Sequence, residues 1–144
     1  MHLTKFSDYA MRVLMLAAAR GDHRLTIEQT AATFDVSQSH LKKVVLTLTR
    51  AGYLHGIRGR SGGYTLARQP QDINLGVLLR LTEPDFSTFE CFGPGGTCPI
   101  AGPCRLKSVG FDAARAFLAA FDKVTLADVA LSRSAYARPA PLPV

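Results

Sequence analysis

The chain has 144 residues, 47% of them hydrophobic, with 17 Lys and Arg against 11 Asp and Glu for a formal net charge of +6. That length fits one domain, or a small domain with an appended arm, and the apolar content excludes a disordered chain. No apolar run approaches the ~20 residues of a membrane span, and MHLTKFSDYAMRVLML carries Lys5, Asp8 and Arg12 and no small-residue cleavage site, so a cytoplasmic location is expected.

Phe6, Tyr9, Ala10, Val13, Leu14 and Ala17 repeat at the helical period, which predicts a first helix over residues 5–20 ending near Gly21. Thr26 with Gln29 three residues on is a capping box opening a short helix through about Phe34. After a tight Asp35–Val36 link, Ser37 is expected to cap a third helix with Leu41, Val44, Val45 and Leu48 on its buried face and Gly52 as its left-handed stop. Two β-prone segments, around 53–58 and 64–67, flank a glycine-rich tip and predict a hairpin. Asn74 begins another short helix halted before Pro84. A long helix is expected from Arg105 to Asp122, with Leu106, Val109, Ala113, Phe117, Ala120 and Phe121 on one stripe, and Thr125 with Asp128 starts a final turn. From Ser132 the proline-rich tail is expected to be disordered.

The expected fold is therefore mainly α with a small β-hairpin wing: a winged helix-turn-helix over residues 1–82, a cysteine loop over 83–104, a long helix and final turn over 105–131, and a tail over 132–144. In this motif the second helix enters the major groove and its N-terminal side chains meet base edges. Here these are Gln38, Ser39, His40, Lys42 and Lys43. At the wing tip, the glycines let the backbone come close to a phosphate or slip into the minor groove, carrying Arg58 and Arg60 with it, and Ser61 and Gly62 are the tip residues expected to meet the DNA. Charge agrees: between Asp35 and Asp72 there is no acidic residue, while Lys42, Lys43, Arg50, Arg58, Arg60 and Arg68 all fall there. Such a run points to a polyanion, double-stranded DNA.

Cys91, Cys98 and Cys104 are the only cysteines, and four glycines and three prolines lie between them. An odd count argues against a disulfide framework. Structural zinc sites pair cysteines two to four residues apart, and no such pair exists here. Widely spaced thiols on flexible backbone suit an iron–sulfur cluster, which takes thiolates from several directions and accepts hydrogen bonds from backbone amides. Three thiolates leave one iron of a cubane unfilled, to be completed by another residue, a small molecule or nothing.

TKFSDYAMRVLMLAA, SQSHLKKVV, GYLHGIRGRSGGYTLAR, TEPDF and CPIAGPCRLK together resemble the NsrR family. These are bacterial iron–sulfur repressors that sense nitric oxide and answer nitrosative stress, with the same winged-helix architecture as the regulator IscR. The resemblance covers roughly residues 1–130. It implies a homodimer crossed by the long C-terminal helix, which serves for dimerisation. Each subunit would hold a [4Fe–4S] cluster on Cys91, Cys98 and Cys104, with Asp8 from the partner subunit as fourth ligand. It further implies that nitrosylation of the cluster releases operator DNA, an A/T-rich palindrome that suits arginines seeking a narrow minor groove. Read from the residues alone, Asp8 is a helix-start aspartate favoured by the dipole. Two features depart from the family pattern: the six-residue gap before Cys98, and Arg-Ser-Gly-Gly in the wing where a third glycine often stands.

Three other readings share these residues. One is a [2Fe–2S] redox or iron-status sensor of the IscR kind, and another a zinc-bound structural module. The third is an enzyme with a cysteine nucleophile, although His2, His23, His40 and His55 all lie away from the loop in the chain, so no catalytic residue is assigned.

Overall fold

The computed structural model describes residues 2–60, 62–87, 89–92, 95 and 97–137. Helix α1 (Lys5–Arg20) is capped by Thr4 and stopped at Gly21, and α2 (Ile27–Phe34) opens with the predicted box: Gln29 N donates to Thr26 Oγ1 at 3.2 Å and Thr26 N to Gln29 Oε1 at 3.1 Å. Asp35 closes α2 in the left-handed conformation, φ 53°. Helix α3 (Gln38–Arg50) ends in a Schellman motif. Gly52, at φ 74°, donates to Thr49 O, and Tyr53 N reaches back to Leu48 O at 2.9 Å.

The wing is an antiparallel pair, β1 (Leu54–Ile57) and β2 (Gly63–Leu66), in register Leu54↔Leu66 to Ile57↔Gly63. The first strand is shorter than the expected 53–58, and the second keeps its four residues but starts one earlier, at Gly63; beyond it Ala67 N still donates to Tyr53 O at 3.0 Å. Reciprocal bonds between Leu25 and Tyr64 (2.8 and 2.9 Å) pin the wing to the α1–α2 link. Helix α4 (Leu75–Thr82) is capped by Asn74, α5 runs Arg105–Asp122 and α6 Leu126–Val129, with short 3-10 turns at Pro70–Asp72, Glu90–Phe92 and Arg133–Tyr136.

One core joins α1, α2, α3, the wing, α4 and α6 through side chains such as Leu14, Leu16, Leu41, Leu48, Leu78 and Leu126, each at most 1% exposed. Burying each such leucine contributes about 2 kcal/mol. The ends of α4 and α5 are laced together. Leu75 N donates to Val124 O and Leu126 N to Ile73 O, and Arg80 holds Asp122 by two hydrogen bonds of 2.5 and 2.9 Å. That pairing lowers the Asp122 carboxyl pKa and raises that of the Arg80 guanidinium, the hydrogen bond acting first in both.

Helix α5 is different. Gly110 is its one buried residue, while Leu106, Val109 and Phe111 are 55%, 59% and 50% exposed. The predicted stripe exists, but the chain's own elements leave much of it uncovered. The tail corrects the sequence reading. Arg133–Tyr136 is an ordered turn, and Tyr136 packs edge-on against Phe34 at 6.1 Å between ring centroids because its ring finds an apolar seat on the core. Residues 138–144 lie outside the described ones. Among the described residues, no helix is long and apolar enough to cross a membrane.

Candidate functional site

Leu41, Val44 and Leu48 turn one face of α3 into the core, which leaves Gln38, Ser39, His40, Lys42 and Lys43 exposed on the other. The Ser37 side chain does not cap the helix as expected. Its hydroxyl pairs with Ser39 Oγ at 2.7 Å, so the first-turn amides of α3 have no side-chain partner and no acidic residue beside them. Free amides at the positive end of a helix suit a phosphate. Sequence reasoning missed a neighbour of this surface: a groove of about 230 Å³ runs between α1 and α3, lined by Lys5, Phe6, Tyr9, His40, Lys43 and Val44. The Tyr9 and His40 rings lie 6.4 Å apart across it. The only local hint was that Lys5 and Tyr9, four apart on α1, share a face.

In the wing, Arg58 and Arg60 are exposed, and neither is in an ion pair among the described residues. Ser61 lies outside them. Gly62 N donates to Gly59 O at 2.8 Å, and a Cβ on Gly62 would sit 2.9 Å from two carbonyl oxygens, so the tip admits only glycine there. Tyr64 fixes the wing from below, its hydroxyl 2.5 Å from Thr30 Oγ1 on α2, and burial pushes its phenol up to about 12. Arg68, one of the six cations of the acid-free window, stays exposed but commits its guanidinium to the backbone. It donates to Ala51 O and Gly52 O at 2.9 Å each, and its guanidinium lies 4.5 Å from the Tyr53 ring centroid. It completes the C-terminus of α3, its N–H groups taken up by two carbonyls of this chain.

The three cysteines are free and half-buried: Cys91 in the turn Glu90–Phe92, Cys98 at a turn closed by Ala101 N on its carbonyl (3.1 Å), and Cys104 as N-cap of α5. Among the described residues, no group of three or more His, Cys, Asp or Glu side chains converges as a metal site. Asp8, on the first turn of α1, is paired with Arg12 at 2.9 and 3.0 Å, and Arg12 in turn lies over the Phe34 ring of α2. As donors, three unpaired thiols fit the soft-ligand chemistry of an iron–sulfur cluster. As placed, they are not yet a closed ligand set.

A family model described as iron-dependent transcriptional regulator, Rrf2, matches residues 3–131. The chain belongs to the Rrf2 family. It is a transcriptional regulator and not an enzyme, which removes the cysteine-nucleophile reading. Rrf2 relatives include the HTH-type transcriptional regulator NsrR of Bacillus subtilis, 45% identical over 131 residues and 90% of each chain. NsrR of Geobacillus kaustophilus is 40% identical over 136 residues, 93% of this chain and 92% of that one. Among solved structures, IscR from T. potens has a TM-score of 0.69 at 25% identity over 90% of this chain and 85% of its own. CymR of B. subtilis has 0.71 at 24% over 90% and 96%, which supports the Rrf2 winged-helix fold.

Proposed function

We propose that this chain is a homodimeric, cytoplasmic repressor that binds double-stranded operator DNA and releases it on exposure to nitric oxide, sensed through an iron–sulfur cluster of the [4Fe–4S] type. One observation carries the reading: every thiol of the chain lies on the loop between a winged helix and a long helix whose apolar face stays uncovered. An exposed apolar stripe of that kind asks for a partner, and a second copy of α5 supplies a matching one. Gln38, Ser39, His40, Lys42 and Lys43 would read the major groove, and Arg58, Arg60, Ser61 and Gly62 would follow the backbone or minor groove.

Cys91, Cys98 and Cys104 would hold the cluster, and Asp8 of the partner subunit would complete it. When bound, the cluster supplies iron atoms that nitric oxide attacks. The chain's own part is positional. Holding the group requires the loop to draw its three sulfurs together, which ties the start of α5 to the end of α4. Asp8 has one carboxylate, and the ion pair with Arg12 competes with ligation for it. Because Arg12 lies 5.9 Å from the Phe34 ring centroid at the end of α2, the choice is felt by the reading head.

Asp8→Ala tests the ligand set. A carboxylate is the exchangeable corner among soft sulfur ligands, so the variant should retain iron and acid-labile sulfide yet bind operator less tightly. Each Cys→Ser variant should lose the cluster. An Asp8→Ala protein with unchanged spectrum, nitric oxide kinetics and DNA affinity removes Asp8 from the set, while zinc without sulfide in the wild type removes the cluster.

A further inference from the structure

Helix α5 has one buried position, and a glycine fills it. Glycine is a poor residue for the middle of an 18-residue helix, so its place there asks for a packing reason. The reason is aromatic. A Cβ on Gly110 would lie 2.6 Å from both Cε2 and Cζ of Phe92 and 2.8 Å from Cε2 of Phe89. These are ring atoms seated on the helix backbone, and they cannot bend aside as a lysine tip would. The Phe92 ring is also stacked on Phe111, 4.5 Å between centroids at 15°, and Phe89 meets it edge-on at 5.5 Å and 83°. Phe92 directly follows Cys91, and its amide donates to Phe89 O at 3.0 Å, closing the turn that bears the thiol.

We propose that Gly110, Phe92 and Phe89 form a clamp that fixes the Cys91 turn on α5, making them positioning residues for the first cysteine of the ligand set. This rests on the reading of Cys91 as a cluster ligand. Cys104 is joined to the same helix by the chain itself, as its N-cap. Gly110 stands six residues further on, about 9 Å along the axis. Helix α5 thus carries both ends of the cysteine run, while among the described residues Cys98 is held by a turn hydrogen bond from Ala101 N. Cys91 and Cys104 are placed in advance, and Cys98 is the ligand that closes last.

The test uses full-length, reduced, metal-free protein. Maleimide labelling rates are measured at each cysteine by peptide mass spectrometry. In the wild type Cys98 should react faster than Cys91. Gly110→Leu should dislodge Phe92 and speed labelling of Cys91 by about tenfold or more, leaving Cys98 within about twofold, because a local opening exposes only the residues it frees. Gly110→Ala should give a smaller effect in the same direction. Adding Phe92→Leu to Gly110→Ala makes room for the new methyl and should restore slow Cys91 labelling. After anaerobic reconstitution, Gly110→Leu should hold well under half the wild-type iron and sulfide, and the double variant should recover most of it. The clamp is overturned if Cys91 reacts at the wild-type rate in Gly110→Leu while circular dichroism shows the helices intact. It is also overturned if Phe92→Leu rescues neither labelling nor loading; should Gly110→Leu not fold, Gly110→Ala and its rescue decide alone. Wild-type protein that takes up no iron and sulfide sinks the cluster reading, and the labelling rates still judge the clamp.

Discussion

Tyr64 should make the wing's attachment fail at alkaline pH. The side chain is 1% exposed, and burial raises its phenol from the usual 10 to about 12. Burial is the cause of the rise, and the 2.5 Å contact with Thr30 Oγ1, which can also donate to Thr26 O at 2.9 Å, offsets part of it. Because the folded value lies above the unfolded one, the stabilisation is whole below pH 10 and is lost as pH rises from 10 through about 12. A displacement of that size amounts to about 3 kcal/mol, a large share of a typical domain's 5–15 kcal/mol. Urea unfolding of wild type and Tyr64→Phe, in steps from about pH 9 to about pH 12, isolates the group from other titrations. Near neutral pH the variant should be less stable by about 1 kcal/mol for the lost hydrogen bond. The order should reverse as pH climbs, since phenylalanine has nothing to ionise. A wild-type-minus-variant difference that stays constant with pH refutes the argument.

Arg60→Ala should weaken specific and non-specific DNA binding by similar factors and flatten the salt dependence by about one phosphate contact per subunit, measured by fluorescence anisotropy at several salt concentrations. A loss confined to one base position would make Arg60 a base reader. Arg68→Ala should behave in the opposite way, costing about 1 kcal/mol in urea unfolding through its carbonyl contacts and leaving the salt slope unchanged. Gln38→Ala and Ser39→Ala should change which operator variants are preferred by about 1–3 kcal/mol. Equal losses on every variant would reduce both to backbone contacts.

The contrast between Arg60 and Arg68 marks where sequence reading works. Helix limits, the Thr26–Gln29 box and the Gly52 stop were legible because each depends on residues within a turn or two of one another. Arg68 was not, since only the fold brings it to carbonyls 16 and 17 positions away. The same holds for Glu83, whose carboxylate accepts from Thr4 N at 2.7 Å across 79 positions, and for the buried Ser7–Thr82 bond beside it. Ser37 looked like a cap because serine at that position usually is one, but Ser39 offered its hydroxyl a competing partner. Tyr136 was hidden in a tail whose last residues, with prolines at 139, 141 and 143, suggested disorder throughout. The cysteine loop was legible as chemistry and illegible as geometry: three thiols without pairs suggest a cluster, but the spacing says nothing of how Phe92 seats on Gly110. Asp8 as a ligand came from family resemblance, and the ion pair with Arg12 is a fact of the fold.

The measurement that bears most directly on the central claim is a titration of anaerobically purified protein with nitric oxide, recording visible absorption and operator binding on the same samples. The account predicts a cluster spectrum at the start and loss of operator affinity in step with loss of that spectrum, with non-specific binding persisting on the wing and α3 cations. Operator binding that stays at its initial strength after the cluster absorption has gone would contradict it.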